Sequence, residues 1–340
     1  MKELIYLRPT DAAEAVETVS GNPHASFLAG GTNLVDHLKL GVATPEVLVD
    51  VRRLPLTEVV EYDTLSGARG LRIGTNVPNS DLAAHLRVRS LFPAVSRALL
   101  AGASGQIRNQ ASTGGNLLQR TRCVYFQDIT TPCNKREPGS GCSAMEGYGR
   151  YNAILGASEA CVATHPSDLA VALAALDATV VVLGPGGERR VPLVDLHRLP
   201  GHHPEEDTVL EHGELITAVE LVRSELTRRS TYHKARDRAS YAFALVSVAA
   251  ALQLDGDTVR DVRIVWGGVA HKPWRAARAE QALRGKVLSD ASVRSAAEDE
   301  LADATTSEQS DYKRAMVRNV TALVLGRLAA QQQHAGDQDE

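Results

Sequence analysis

Aromatic residues make up only 4% of this 340-residue chain, and there are just four cysteines and two tryptophans. Basic residues are not in excess either: 37 Lys and Arg against 41 Asp and Glu leave a formal charge of −4. Proteins that neutralise a phosphate backbone need the opposite balance, so no nucleic-acid partner is expected. The opening stretch MKELIYLRPTDAAEAVETVS lacks the charged, then apolar, then small pattern of a secretory leader. Long apolar runs are also missing. LAVALAALDATVVVLG contains an Asp and falls short of the roughly 20 residues needed to cross a bilayer. These absences predict a cytoplasmic chain with no membrane partner; a subunit exported with a signal-bearing partner to the periplasm would read the same way.

What is present is ordinary for a protein with a sizeable core: 44% hydrophobic and 23% charged residues, at a length that suits two or three domains. A first α/β unit is expected over residues 1–53. In it LIYLRP is a strand, Thr10 or Asp11 caps a helix to Ser20, ASFLAGG and VLVDV are strands, and TNLVDHLKL is a helix. A second unit runs over 54–225. It has a strand at LRIGTNV, a helix capped by Asn79 or Ser80, another from Pro93 to Gly102, and a turn-rich QIRNQASTGGNLLQ. A helix at 166–168 onward and strands at ATVVVLG, RVPLVDL and ELITAVEL complete it. The third unit, 226–330, opens with a hairpin turning at Asp255-Gly256-Asp257 and continues with helices near 275–283, 290–303 and 310–331. Residues 331–340 read as a frayed tail. No internal repeat is visible.

The cysteines are the sharpest local feature. Cys123, Cys133, Cys142 and Cys161 lie in one short window of low hydrophobicity, and that clustering needs a cause. Disulfides require an oxidising compartment that nothing here points to. Structural zinc prefers paired C-x₂₋₄-C knuckles, and no pair is that close. A [4Fe–4S] cluster needs four thiolates around a cube but no tight pairs, so it leads, with zinc and disulfides as alternatives. Gly139, Gly141 and Gly147 would let backbone approach a bulky inorganic core. Arg120, Arg122, Lys135 and Arg136 would offset its negative charge.

Two glycine turns stand between strand-like and helix-like segments, where backbone amides and a helix N-terminus favour phosphate. One is Ala29-Gly30-Gly31-Thr32-Asn33-Leu34 and the other Ser112-Thr113-Gly114-Gly115-Asn116. Neither matches G-x-G-x-x-G or G-x-x-x-x-G-K-[ST], so Rossmann and P-loop sites have no support. If the two turns converge, they form a dinucleotide site outside those folds.

On these residues the chain resembles the FAD-binding medium subunit of the xanthine dehydrogenase and aldehyde oxidoreductase family of molybdenum hydroxylases. Within it, the chain is most similar to the branch whose flavin subunit carries an additional [4Fe–4S] cluster. The likeness spans nearly the whole chain, and its most specific stretch is TRCVYFQDITTPCNKREPGSGCSAMEGYGRYNAILGASEACVATHPSDLAVALAALDA. It implies an α+β fold: a two-subdomain FAD-binding domain of the PCMH/VAO type with the [4Fe–4S] insertion at about 118–162, then a CO dehydrogenase flavoprotein C-terminal-like domain of antiparallel sheet plus helices. It implies that Leu28, Ala29, Gly30, Gly31, Thr32, Asn33 and Leu34 wrap the FAD pyrophosphate. Thr113, Gly114, Gly115 and Asn116 would complete the cradle, with Ile107 and Asn109 close by and Gly74 and Thr75 at its border. Asp168 corresponds to an acidic residue on ribityl or ribose hydroxyls, Ile216 to an apolar contact with the ring, and Lys234 to a lysine that tunes the flavin. Cys123, Cys133, Cys142 and Cys161 would hold the cluster. The implied partners are a small [2Fe–2S] subunit, a large molybdopterin-binding subunit, and ferredoxin or another electron acceptor. No nucleophile–base pair is evident, so the chain carries no substrate chemistry of its own. The competing readings are a stand-alone flavin dehydrogenase or oxidase and a zinc-binding interaction module.

Overall fold

The computed structural model describes residues 3–64 and 66–336, the side chains of 334–336 excepted. Among these residues the strands form three sheets, one for each stretch of the expected organisation. The first is parallel, with β1 (Ile5–Leu7), β3 (Val47–Asp50) and β2 (Ala25–Leu28) side by side in that order. Asp11 accepts a hydrogen bond from the Glu14 amide at 2.9 Å and so starts the Ala12–Ser20 helix, which buries Ala15, Val16 and Val19. β2 then runs into the first glycine turn, and the Leu34–Leu40 helix leaves it.

The second sheet is antiparallel, in the order β4 (Val59–Asp63), β5 (Arg69–Gly74), β8 (Leu215–Val222), β6 (Thr179–Gly184) and β7 (Gly187–Pro192). The third carries β12 (Trp274–Arg275), β11 (Thr258–Gly267), β10 (Val246–Asp255) and β9 (Ser230–Ala235). Between these two sheets lies the Asp168–Ala175 helix, buried at every position from Leu169 to Ala175. It shares one core with Val180 and Val219 of the second sheet and with Ala249 and Val265 of the third. A helix enclosed by two sheets has no polar face, which is why its sequence, DLAVALAA, is apolar all round after the first residue. The long Tyr312–Gly336 helix and the helices Ala277–Leu283 and Asp290–Glu300 close a separate core on the third sheet. No described helix is long and apolar enough to cross a membrane.

Several local expectations are corrected. QIRNQASTGGNLLQ is not mere turn but two short helices, Gly105–Gln110 and Thr113–Leu117, capped by Ser104 and Ser112. RVPLVDL splits: β7 ends at Pro192, whose missing N–H stops the ladder, and Leu193–Leu196 is a helical turn. Asn79 begins its helix rather than capping it. β9 was not anticipated, because its polar residues (STYHKA) carry no alternating apolar signal. The last helix continues to Gly336 where fraying was expected, and residues 337–340 lie outside the described residues.

Candidate functional site: two glycine turns and a cysteine cavity

The two glycine turns lie against each other. A β-carbon on Gly30 would sit 2.0 Å from the carbonyl oxygen of Gln110, and one on Gly115 would sit 3.7 Å from Cβ of Ala29. A β-carbon on Gly114 would meet Thr75 Oγ1 at 1.9 Å and Ile216 Cγ2 at 3.5 Å. Gly30, Gly114, Gly115, Thr75 and Ile216, scattered over the sequence, are thus one packed unit. Gly74 belongs to its edge, pressed against the Leu56 carbonyl.

The two turns differ in what they offer a ligand. In the second, the Thr113 amide donates to Val77 O at 3.0 Å, Gly114 to Thr75 O at 3.0 Å, and Gly115 to Ser112 Oγ at 3.2 Å. In the first, the amides of Gly30, Gly31, Thr32, Asn33 and Leu34 have no acceptor among the described residues. Consecutive unclaimed N–H groups on a half-buried turn suit a diphosphate, since each orphan donor gains a charged acceptor. Ile107 is half-buried and Asn109 exposed at the rim. A roomier cavity of about 540 Å³, lined by Val16, Glu17, Ser20 and Leu183, involves neither turn.

Asp168 and Lys234, 66 residues apart, meet as a buried ion pair at 2.7 Å with side chains 10% and 3% exposed. The other Asp168 oxygen accepts from the buried Tyr232 hydroxyl. Tyr232 and Lys234 share one face of β9, so the second and third parts of the chain are latched here. Asn116 reaches the same place: its Oδ1 accepts from Ser167 Oγ at 2.7 Å, and Ser167 caps the Asp168–Ala175 helix. Lys234→Met would leave a buried carboxylate half paired and is expected to cost about 3–5 kcal/mol, whereas a Lys234→Met, Asp168→Leu pair should cost much less. Thermal unfolding of the full chain measures both, and equal losses would contradict the ion-pair account.

The four cysteines line one cavity together with Thr121, Phe126, Lys135 and Ala163. Cys133 and Cys142 face each other across an antiparallel bridge, and all four thiols are free. The Cys142 thiol is pulled down to about 6 because Cys161 donates to it and the amides of Ala144, Val162 and Met145 point at its sulfur. That same bond and burial push Cys161 up, and burial pushes Cys123 up. Backbone N–H groups also face the sulfurs of Cys123, from Phe126 and Tyr125, and of Cys161, from Ala163. Yet among the described residues no three His, Cys, Asp or Glu side chains gather closely enough to hold a single metal ion.

Of the four cationic residues expected to offset cluster charge, Lys135 alone lines the cavity. It is 3% exposed, donates to Pro204 O at 2.6 Å and pairs with Asp207. Arg120 pairs with the same Asp207 at 2.6 Å and stacks on Phe126, while Arg136 donates to the carbonyls of Tyr125, Phe126 and Thr131. Arg122 covers Phe243 instead. Nor do the glycines all admit an inorganic core. Gly139 and Gly141 adopt left-handed φ values of 85° and 102° to turn the loop, and Gly147 packs on the Tyr125 hydroxyl. The cysteine segment is tied to the first glycine turn: the Arg120 amide donates to Asn33 Oδ1 at 2.9 Å, and Phe126 packs edge-on against His37, 5.6 Å between ring centres. Asp207 and Tyr232 escaped the sequence reading, since nothing local marks a residue whose partner is distant in sequence.

Comparison with known proteins fits this geometry. Residues 2–221 match the FAD binding domain in molybdopterin dehydrogenase, and residues 230–328 match the CO dehydrogenase flavoprotein C-terminal domain. The chain belongs to the FAD-binding medium subunits of the molybdenum hydroxylases. One relative of this flavin subunit is the aldehyde oxidoreductase FAD-binding subunit PaoB of Escherichia coli, 49% identical over 97% of this chain and 100% of that one. Another is the glyceraldehyde dehydrogenase medium chain of Sulfolobus acidocaldarius, 28% identical over 85% of this chain and 83% of that one. In fold the flavin subunit matches carbon monoxide dehydrogenase from Hydrogenophaga pseudoflava, with a TM-score of 0.74 at 24% identity over 97% of this chain and 98% of that one. The flavin subunit is therefore an oxidoreductase component, and its domain is one that binds FAD.

Proposed function

We propose that this chain is the electron-relay subunit of a heterotrimeric molybdenum hydroxylase of aldehyde oxidoreductase or xanthine dehydrogenase type, and that it holds one [4Fe–4S] cluster beside its FAD. The observation that carries the cluster is the convergence of Cys123, Cys133, Cys142 and Cys161 on one cavity, with amides aimed at three of the four sulfurs. The FAD reading is supported by the free amides from Gly30 to Leu34 and by the close packing of that turn on residues 110–115.

Bound FAD accepts electrons singly and releases them singly or in pairs, which suits a relay between one-electron centres and an acceptor. The chain's own residues bind and orient. The first turn grips the pyrophosphate, and the second, whose amides are spent on the fold, is the rigid wall behind it. Ile216, packed beside Gly114, would supply an apolar contact to the ring system. The Asp168–Lys234 pair serves as one neutral unit, the lysine holding the carboxylate where ribityl or ribose hydroxyls reach it. Lys135 places a cation beside the thiolates. Substrate is oxidised on a large molybdopterin-binding partner, and a small [2Fe–2S] partner hands electrons to this chain. Ferredoxin or a similar carrier is the proposed acceptor. The compartment is the cytoplasm, or the periplasm by export with a signal-bearing partner.

An absorption spectrum of the anaerobically purified chain tests this. Flavin bands with a broad brown shoulder that dithionite bleaches are expected. A colourless, zinc-containing protein would refute the reading, and substrate turnover by the single chain would point instead to a stand-alone dehydrogenase.

A further inference from the structure

The two halves of the cysteine segment are held by different parts of the molecule. The half with Cys123 and Cys133 is fastened to the FAD-binding domain: Arg120 and Lys135 both pair with Asp207, and Phe126 packs on His37. The half that runs from Cys142 to Cys161 is fastened to the C-terminal domain. The Gly149 amide donates to Gln309 Oε1 at 2.8 Å, the Tyr312 hydroxyl to Arg150 O at 2.9 Å, and Lys313 Nζ to Asn152 O at 2.8 Å. Ile154 and Leu155 donate to Val269 O and are buried in the C-terminal core.

Lys313 is the unusual member of this set. It is 1% exposed, yet its ammonium has no carboxylate partner among the described residues; its second acceptor is Gly268 O at 2.7 Å. Burial pulls it down to about 7. An apolar side chain would fill this space without the desolvation cost, so what the ammonium contributes is position. Asn152, whose carbonyl it grips, is the junction to both distal cysteines. The Asn152 amide side chain donates to Ala144 O at 3.2 Å, two residues after Cys142. The next amide, Ala153, donates to Val162 O at 2.7 Å, one residue after Cys161.

We infer that Lys313 is a positioning residue for the metal-binding segment, acting through Asn152 and Ala153 to set Cys142 and Cys161 against the Cys123–Cys133 half, so that the cysteine site is shared between the two domains. This rests on the cluster reading above. The three contacts form a short relay from a long helix to the backbone beside Cys142 and Cys161.

The test uses the full-length chain with Lys313→Met and with Asn152→Ala, each compared with wild type by hydrogen exchange over residues 142–162 and by the iron-to-flavin ratio. In Lys313→Met, exchange at Ala153 and around Cys142 and Cys161 should rise about tenfold, while exchange at residues 28–40 is unchanged. The iron-to-flavin ratio should fall below half of wild type with flavin content retained. Asn152→Ala removes only the link to Ala144, so exchange should rise near Cys142 and not near Cys161. If Lys313→Met does not fold, Lys313→Gln, which keeps a shorter neutral donor in the same space, takes its place with the same expected and overturning results. Wild-type exchange over 142–162 in the folded variants overturns the inference, even if iron is present. Iron-free wild type refutes the cluster reading, and the exchange results then judge Lys313 independently.

Discussion

Cys133→Ser is expected to strip the cluster and spare the flavin. Cys133 is 7% exposed and sits across the antiparallel bridge from Cys142, at the middle of the cavity wall. Serine keeps the size and the backbone, so the amide of residue 133 should still donate to Ser140 Oγ and its carbonyl still accept from the amides of Arg136 and Glu137. What it lacks is a sulfur to bond iron, and a cluster core held by three thiolates instead of four is open to loss. Iron should fall from about four per chain to near zero, with the dithionite-bleachable shoulder lost and the flavin bands intact. The flavin bands survive because no residue of the two glycine turns lines the cysteine cavity. A lower thermal midpoint should accompany the loss, since a ligand that binds only the folded state stabilises it. Unchanged iron in this variant would mean that the ligand assignment is wrong. Zinc in place of iron would favour the interaction-module reading.

Gly30→Ala should do the reverse, emptying the flavin site and leaving iron in place. The added β-carbon would lie 2.0 Å from Gln110 O, 2.8 Å from Gln110 C and 3.1 Å from Ala111 Cα. All three atoms are backbone, so no side-chain rotation relieves the clash and the two turns must separate. Overpacking of this kind costs about 1–3 kcal/mol. If it is taken from the flavin-bound form, FAD binds roughly ten- to a hundredfold more weakly. Gly115→Ala is the control. Its β-carbon meets only Ser112 Oγ below 3.4 Å, a hydroxyl that can turn away, and a smaller loss is expected. Flavin content after gel filtration and fluorescence titration of apoprotein with FAD separate the two. Equal retention by Gly30→Ala and wild type would remove the first turn from the flavin site.

Each of these experiments perturbs one proposed cofactor site and reads the other. The Arg120 amide on Asn33 and Phe126 on His37 connect the two sites. They place the cysteine segment beside the helix that leaves the first glycine turn.

Much of this was legible before any coordinates. The β-αβ start, the apolar helix after Ser167 and the hairpin at Gly256 follow from capping residues, turn residues and periodicity, all of which act within a few residues. The cysteine window was legible because clustering of a rare residue type needs no fold to be noticed. β9 was not legible: its strand character comes from pairing with β10 and docking on the helix Pro93–Ala101, and its own residues are polar. The roles of the cations near the cysteines were equally hidden. Arg120, Arg122, Lys135 and Arg136 look alike in a basic stretch, and only burial in the cavity wall singles out Lys135.

Composition and local pattern by themselves determined the family likeness, the position of the glycine turns and the identity of the four thiols, because these depend on residue type and short spacing. Tertiary structure decided which partners those residues meet. It brought Gly30 to Gln110, joined Asp168 to Lys234 over 66 residues, and set the Lys313 ammonium on the Asn152 carbonyl. Such pairings are between residues far apart in the chain, and their energies come from burial and close contact, neither of which exists until the sheets have packed.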